Sequence, residues 1–153
     1  MLHFAYGSNM SPMLMRRRCP QASALGTATV PGWRFVISPD GFGSIVPHAG
    51  GVVHGVLWRL TPRDLAAINA YESVDSGLYV RRMLSVQRGN RHGLALVYVA
   101  QRRGEGRPRP GYIALVTEAA RDWKLPESYV RALRRWAPSG WRGARWKNTM
   151  DLA

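Results

Sequence analysis

The sequence predicts an α+β domain in which a curled or closed, largely antiparallel sheet carries three or four helices at its ends. Two observations lead there. Strand-like runs dominate the first hundred residues and are separated by Pro-Gly, Asp-Gly and Gly-Gly signals of the hairpin kind. Two helical stretches, broken at Leu125-Pro126, follow them.

Taken in order, residues 2–6 read as a first strand that runs through Gly7-Ser8-Asn9 to Ser11 and Pro12, an N-cap followed by proline at the first helical position. A short helix to about Arg18 is expected. Strands are expected at residues 24–30, 34–38, 44–46 and 52–60. Thr61-Pro62-Arg63-Asp64 supplies a cap, a proline and an acidic first turn for a helix reaching Tyr71 or Glu72. Residues 78–87 and 93–100 form two more strands around Gly89-Asn90. A basic Gly/Pro-rich loop, residues 102–110, precedes helices at 112–123 and 126–136. The domain is expected to span residues 1–136, with 137–153 a basic, Trp/Arg-rich segment of the same domain or a tail.

The chain has 153 residues, 46% of them hydrophobic and 20% charged. That describes one compact domain with a core large enough to stand without disulfides or metal. Apolar runs such as residues 94–100 are far too short to span a bilayer, and no export signal is expected ahead of the first strand. With Cys19 the only cysteine, a disulfide within the chain and a cysteine-rich metal site are both excluded. A cytoplasmic setting is expected, with Cys19 a buried small residue.

The formal charge of +13 raises nucleic acid as a partner. Only Lys124 and Lys147 are lysines and the other basic residues are arginines, a bias of the kind that codon composition produces. Residues 131–147 interleave six basic side chains with Trp136, Trp141 and Trp146, a mixture able to stack on bases. No helix-turn-helix, zinc-finger or RNP-type motif accompanies the charge, so the sequence reads against that partner.

The chemistry centres on two places. A glycine-containing turn beside a helix N-terminus, residues 7–9, presents backbone N–H groups able to cradle a carboxylate. Glu72 is the other: it lies seven residues beyond Leu65, about twenty degrees from it at about one hundred degrees per residue, so a carboxylate ends the apolar stripe of Leu65 and Ile68. Burial there raises a carboxyl pKa and suits it to proton transfer. The alternative is a frayed helix end with Glu72 solvated. Other constellations fail. Ser8 lacks a nucleophile elbow, and Gly41 and Gly43 precede no helix. His3, His48, His54 and His92 have no metal-ligand spacing, so no metal is expected.

Tyr6-Gly7-Ser8-Asn9, then Glu72 followed by Ser76-Gly77-Leu78-Tyr79, then Arg107-Pro108-Arg109-Pro110-Gly111-Tyr112, resemble in that order the γ-glutamylcyclotransferase (AIG2-like) family, in its bacterial form, over about residues 2–136. The resemblance implies a small mixed, largely antiparallel barrel flanked by helices. It implies conversion of a γ-glutamyl amino acid or amine to 5-oxoproline and a free amine, without cofactor. The catalytic glutamate falls on Glu72, and the substrate contacts fall on Tyr6, Gly7, Ser8, Asn9, Met10 and Tyr112. Two departures stand out: Ser73 replaces a glycine that some members carry after the glutamate, and Met10 replaces a leucine. A non-catalytic carboxylate-binding member of the fold and a basic nucleic-acid-binding domain are the competing readings. The leaving amine and the oligomeric state stay open.

Overall fold

The computed structural model describes residues 1–138. Its elements are β1 (Leu2–Ala5), a 3₁₀ turn (Ser8–Met10), α1 (Pro12–Arg18), β2 (Ser23–Ile37), β3 (Gly43–Arg59), α2 (Pro62–Tyr71), β4 (Tyr79–Arg88), β5 (Arg91–Ala100), α3 (Tyr112–Asp122) and α4 (Glu127–Arg134). The five strands close into a barrel in the order β1-β3-β2-β4-β5. Every pairing is antiparallel except the closing one, where β1 meets β5 in parallel with His3 opposite Leu96. This is the mixed, largely antiparallel barrel with flanking helices that the sequence led to expect.

The strand boundaries differ. Runs 24–30 and 34–38 are one strand, and so are 44–46 and 52–60. Pro31-Gly32 and Gly50-Gly51 do not reverse the chain. They form an irregularity in the β2/β3 ladder, which passes from Pro31 opposite Val52 to Trp33 opposite Pro47. Extra residues on one strand bend and twist it, which is how long strands wrap a small barrel. Gly32 and Gly50 take φ of +83° and +79° there, a region that only glycine enters without strain. The true β2/β3 reversal is at residues 38–42, where Ser38 N–H donates to the Phe42 carbonyl.

Phe4, Val53, Val56, Ile45 and Val97 are wholly buried in a core continuous with Ile113, Val116 and Leu133 of the helices. Trp136 packs edge-on against Phe35 at 6.5 Å. Residues 139–153, with Trp141, Trp146 and Lys147, lie outside the described residues. Cys19 is buried, its thiol pushed up to about 11 by desolvation, which keeps it protonated and unreactive. Among the described residues no helix is long and apolar enough to cross a membrane.

Candidate active site

β1 runs into the 3₁₀ turn, whose Met10 and Ser11 N–H groups bond back to the carbonyls of Gly7 and Ser8. In such a turn the N–H groups at the leading end have no partner within the turn; here they belong to Gly7, Ser8 and Asn9. Ser11 then caps α1, its hydroxyl accepting from Leu14 N–H.

α2 begins with a complete capping box between Thr61 and Asp64. It ends just as definitely. Ser73 N–H donates to the Ala70 carbonyl and Val74 N–H to that of Asn69, the two bonds of a Schellman motif around Glu72 as C-cap. Glu72 is therefore a fixed residue and not a frayed end. Ser73 takes φ +52°, the left-handed conformation for which glycine is suited.

These two segments meet across a cavity of about 260 Å³, whose walls include Tyr6, Gly7, Ser8, Asn9, Glu72 and Tyr112. Six of the seven residues expected at the site thus share one cavity. The seventh, Met10, does not: its side chain is fully buried in the core, and its carbonyl accepts from Trp123 Nε1 at 2.7 Å. It anchors the turn from behind.

Asn9 Nδ2 donates to Glu72 Oε1 at 2.9 Å, and Asn9 Oδ1 accepts from Arg18 Nη1 at 2.6 Å. Because a guanidinium only donates and a carboxylate accepts, the amide orientation is fixed by chemistry. Arg18 Nη1 also donates to Ser8 Oγ at 3.0 Å, and its guanidinium lies 3.6 Å from the centre of the Tyr71 ring. Burial pushes the Glu72 carboxyl up to about 7, against the opposing pull of Arg18 and the Asn9 hydrogen bond. A carboxyl so poised can both accept and return a proton near neutral pH.

Tyrosines stand beside Phe4, Phe42 and Leu78 in the rest of the wall. Tyr6 OH donates to the Tyr98 carbonyl, Tyr98 OH to Asn69 Oδ1 and Tyr79 OH to the Gly43 carbonyl. Tyr112, first residue of α3, packs its hydroxyl so closely against Gly7 and Gly43 that a Cβ on either would lie 2.7 Å from it. Desolvation raises all four phenols above their ordinary value, so they act as neutral hydrogen-bonding groups. Sequence reasoning missed Arg18, Tyr71, Tyr79 and Tyr98. Arg18 stands ten residues after Ser8 at the end of a short helix, and no local pattern marks it. Tyr98 sits in an apolar strand run and reads as core.

Residues 52–133, more than half of the chain, match the AIG2-like family. The chain belongs to the AIG2-like family. It is 24% identical to a protein of Mus musculus named gamma-glutamylcyclotransferase, over 93% of this chain and 81% of that one. It is 29% identical to "Gamma-glutamyl cyclotransferase aclK" of Aspergillus oryzae, over 89% of this chain and 61% of that one. A solved structure named gamma-glutamyl cyclotransferase superposes with a TM-score of 0.86 at 23% identity, covering 99% of this chain and 96% of that one. This AIG2-like chain therefore shares the fold of that structure.

Proposed function

We propose that the chain is a γ-glutamylcyclotransferase, converting a γ-glutamyl amino acid or γ-glutamyl amine to 5-oxoproline and the free amine. The observation that carries this reading is the Glu72 carboxyl, raised to about 7 and held by Asn9 on the wall of the cavity that the 3₁₀ turn borders. The names of the relatives support the same activity.

In this mechanism the N–H groups of Gly7, Ser8 and Asn9 take the substrate's α-carboxylate, and the tyrosine walls enclose its carbon chain. The α-amine, as the free base, attacks the γ-carbonyl carbon. Glu72 takes a proton from that nitrogen as the new C–N bond closes the five-membered ring. It then delivers the proton to the distal nitrogen as the old C–N bond breaks, so one carboxyl serves both steps. Intramolecular reactions held in a reactive geometry reach effective molarities on the order of 10⁵–10⁸ M, so enforcing the folded substrate conformation supplies much of the rate. Residues that hold the site, Arg18 through Asn9 above all, act by positioning.

The test is release of 5-oxoproline from a panel of γ-glutamyl amino acids and amines. Turnover of at least one is expected; a folded protein that turns over none overturns the reading. Binding of 5-oxoproline without turnover would leave a carboxylate-binding protein.

A further inference from the structure

The barrel has one loosely paired seam. β2 meets β4 at a single register position, Thr29 opposite Gln87, whereas β2 and β3 stay paired as far as Ile37 and Gly43, and β4 and β5 as far as Tyr79 and Ala100. Beyond the Thr29/Gln87 pair the two hairpins diverge, and a second cavity of about 710 Å³ opens between them. Small-molecule sites usually occupy roughly 300–1,000 Å³.

This cavity is distinct from the candidate active site. Gly43 and Tyr79 border the first cavity, and their chain neighbours Ser44 and Val80 border the second, because successive residues of a strand face opposite ways. Its wall is mainly apolar, with Val36, Val46, Val80 and Val99 beside Trp33. Val36 is 1% exposed yet is not among the side chains of the continuous core. An apolar residue is thus withdrawn from water in the wall of a void.

The charged part of the lining is basic: Arg82, Arg102 and Arg103 stand there and no carboxylate does. Arg102 is committed, since its Nη1 donates to Asp40 Oδ1 at 2.9 Å; the other Asp40 oxygen is buried with no hydrogen-bond partner among the described residues. Glu105 pairs with Arg34 at 2.9 Å. Arg82 and Arg103 are exposed and, among the described residues, form neither an ion pair nor a hydrogen bond. Apolar walls with free guanidinium groups at the rim complement a ligand that has an apolar body and an anionic head. Arg82 lies opposite Val97 within the β4/β5 hairpin, and Arg103 lies past its end at Ala100. Each is therefore placed to balance one negative charge, which suits a carboxylate better than a dianionic phosphate ester. The protein itself is a poor occupant. A second copy carries a formal charge of +13, and residues 139–153 carry Arg142, Arg145 and Lys147 against Asp151 as their one acidic side chain, so either brings like charge to the arginines.

We propose that this second cavity is a binding site for an amphipathic carboxylate of the medium-chain fatty acid class, its chain among the valines and its head on Arg82 or Arg103. The site uses none of the residues assigned to the γ-glutamyl reaction and stands independently of that reading.

Calorimetry and methyl NMR on the full chain, with hexanoate, decanoate and decanamide, test it. Decanoate should bind one-to-one and shift the methyl signals of Val36, Val46, Val80 and Val99, and 5-oxoproline should not displace it. Affinity should rise from hexanoate to decanoate by up to about fourfold per methylene. Decanamide should bind roughly tenfold more weakly than decanoate, with the gap narrowing in added salt. Arg82→Gln combined with Arg103→Gln should bring acid and amide to within about threefold of each other, and the single variant that carries the loss identifies the partner of the head. Both side chains are exposed and without partners, so the double variant should keep the wild-type far-UV ellipticity. Absence of saturable decanoate binding, equal binding of acid and amide, an undiminished acid preference in the double variant, or displacement by 5-oxoproline overturns the proposal. Loss of decanoate binding as the protein self-associates would make a second copy the occupant, and contacts from Trp141 or Trp146 to those valine methyls in the free protein would make residues 139–153 the occupant; either overturns it.

Discussion

Glu72 owes its properties to neighbours that pull in opposite directions. Desolvation lifts its pKa, while Arg18 and the Asn9 bond restrain it, and the result is about 7. If it is the proton carrier, Glu72→Gln keeps shape and the Asn9 contact but cannot move a proton. Turnover is expected to fall by roughly 10²–10⁴ with 5-oxoproline affinity largely retained, read by single-turnover assay and calorimetry; near-normal turnover would remove Glu72 from the mechanism. A second consequence concerns stability. A carboxyl whose pKa is higher in the folded than in the unfolded chain stabilises at pH below the unfolded value of 4.5, and that contribution disappears as pH rises through about 7. Glu72→Gln should therefore be more stable than the wild type at pH 8, by about 1–3 kcal/mol, and nearly equal to it at pH 5. Urea unfolding at the two pH values measures this, and a difference independent of pH would contradict it. His3 behaves oppositely: its buried ring, with Nδ1 donating to the Leu96 carbonyl, is held down to about 4. Its contribution is present above the unfolded value of 6.5 and is lost as pH falls through about 4.

Elements differ in how openly the chain writes them. α2 was legible because its signals are local: Thr61, Pro62 and Asp64 occupy cap positions that any helix start would use. Its far end was less so, because the Schellman bonds need residue 73 in a left-handed conformation that serine does not advertise. The strand-splitting at Pro31-Gly32 and Gly50-Gly51 failed for a related reason. The same glycines serve a turn or a bulge, and only the ladder register distinguishes them. Ser73 yields an element-level prediction. Ser73→Gly relieves a left-handed serine, costing about 1–2 kcal/mol, against about 0.5–1 kcal/mol of added chain entropy. A net gain of about 0.5–1 kcal/mol in unfolding free energy is expected, with the Glu72 bond to Asn9 retained; a loss of stability would show that the serine side chain contributes more than the backbone strain removes.

At the scale of the molecule, the site exists only because the barrel closes. Residues 6–9, 43, 72 and 112 are far apart in the chain and meet where β1, β3, α2 and α3 converge. Glu72 and the 7–9 turn could be named from local pattern and from the order of short motifs. Their partners could not, because Arg18, Tyr79 and Tyr98 acquire meaning only through contacts such as Tyr6 with Tyr98 across 92 positions. Likewise the parallel β1/β5 pair has no sequence signature beyond two apolar strands. Phe4, fully buried on β1 beneath Gly55, tests this dependence. Phe4→Ala should cost about 3–5 kcal/mol, and 5-oxoproline binding and far-UV ellipticity should be lost together in urea. Loss of ellipticity with binding intact would mean that the turn is held without β1.

β1 is flanked by residues 56–59 on one side and by Leu96 on the other. During synthesis it is made well before either neighbour, and α3, which brings Tyr112, is made later still. The segment bearing the ligand-gripping turn can therefore pair with β3 only after residue 59 has been made, and the barrel can close on it only after β5 has followed, a long-range closure of the kind that slows folding. A nascent chain shorter than that has the turn and Glu72 but no cavity, so ligand can stabilise only chains whose last barrel strand has already emerged.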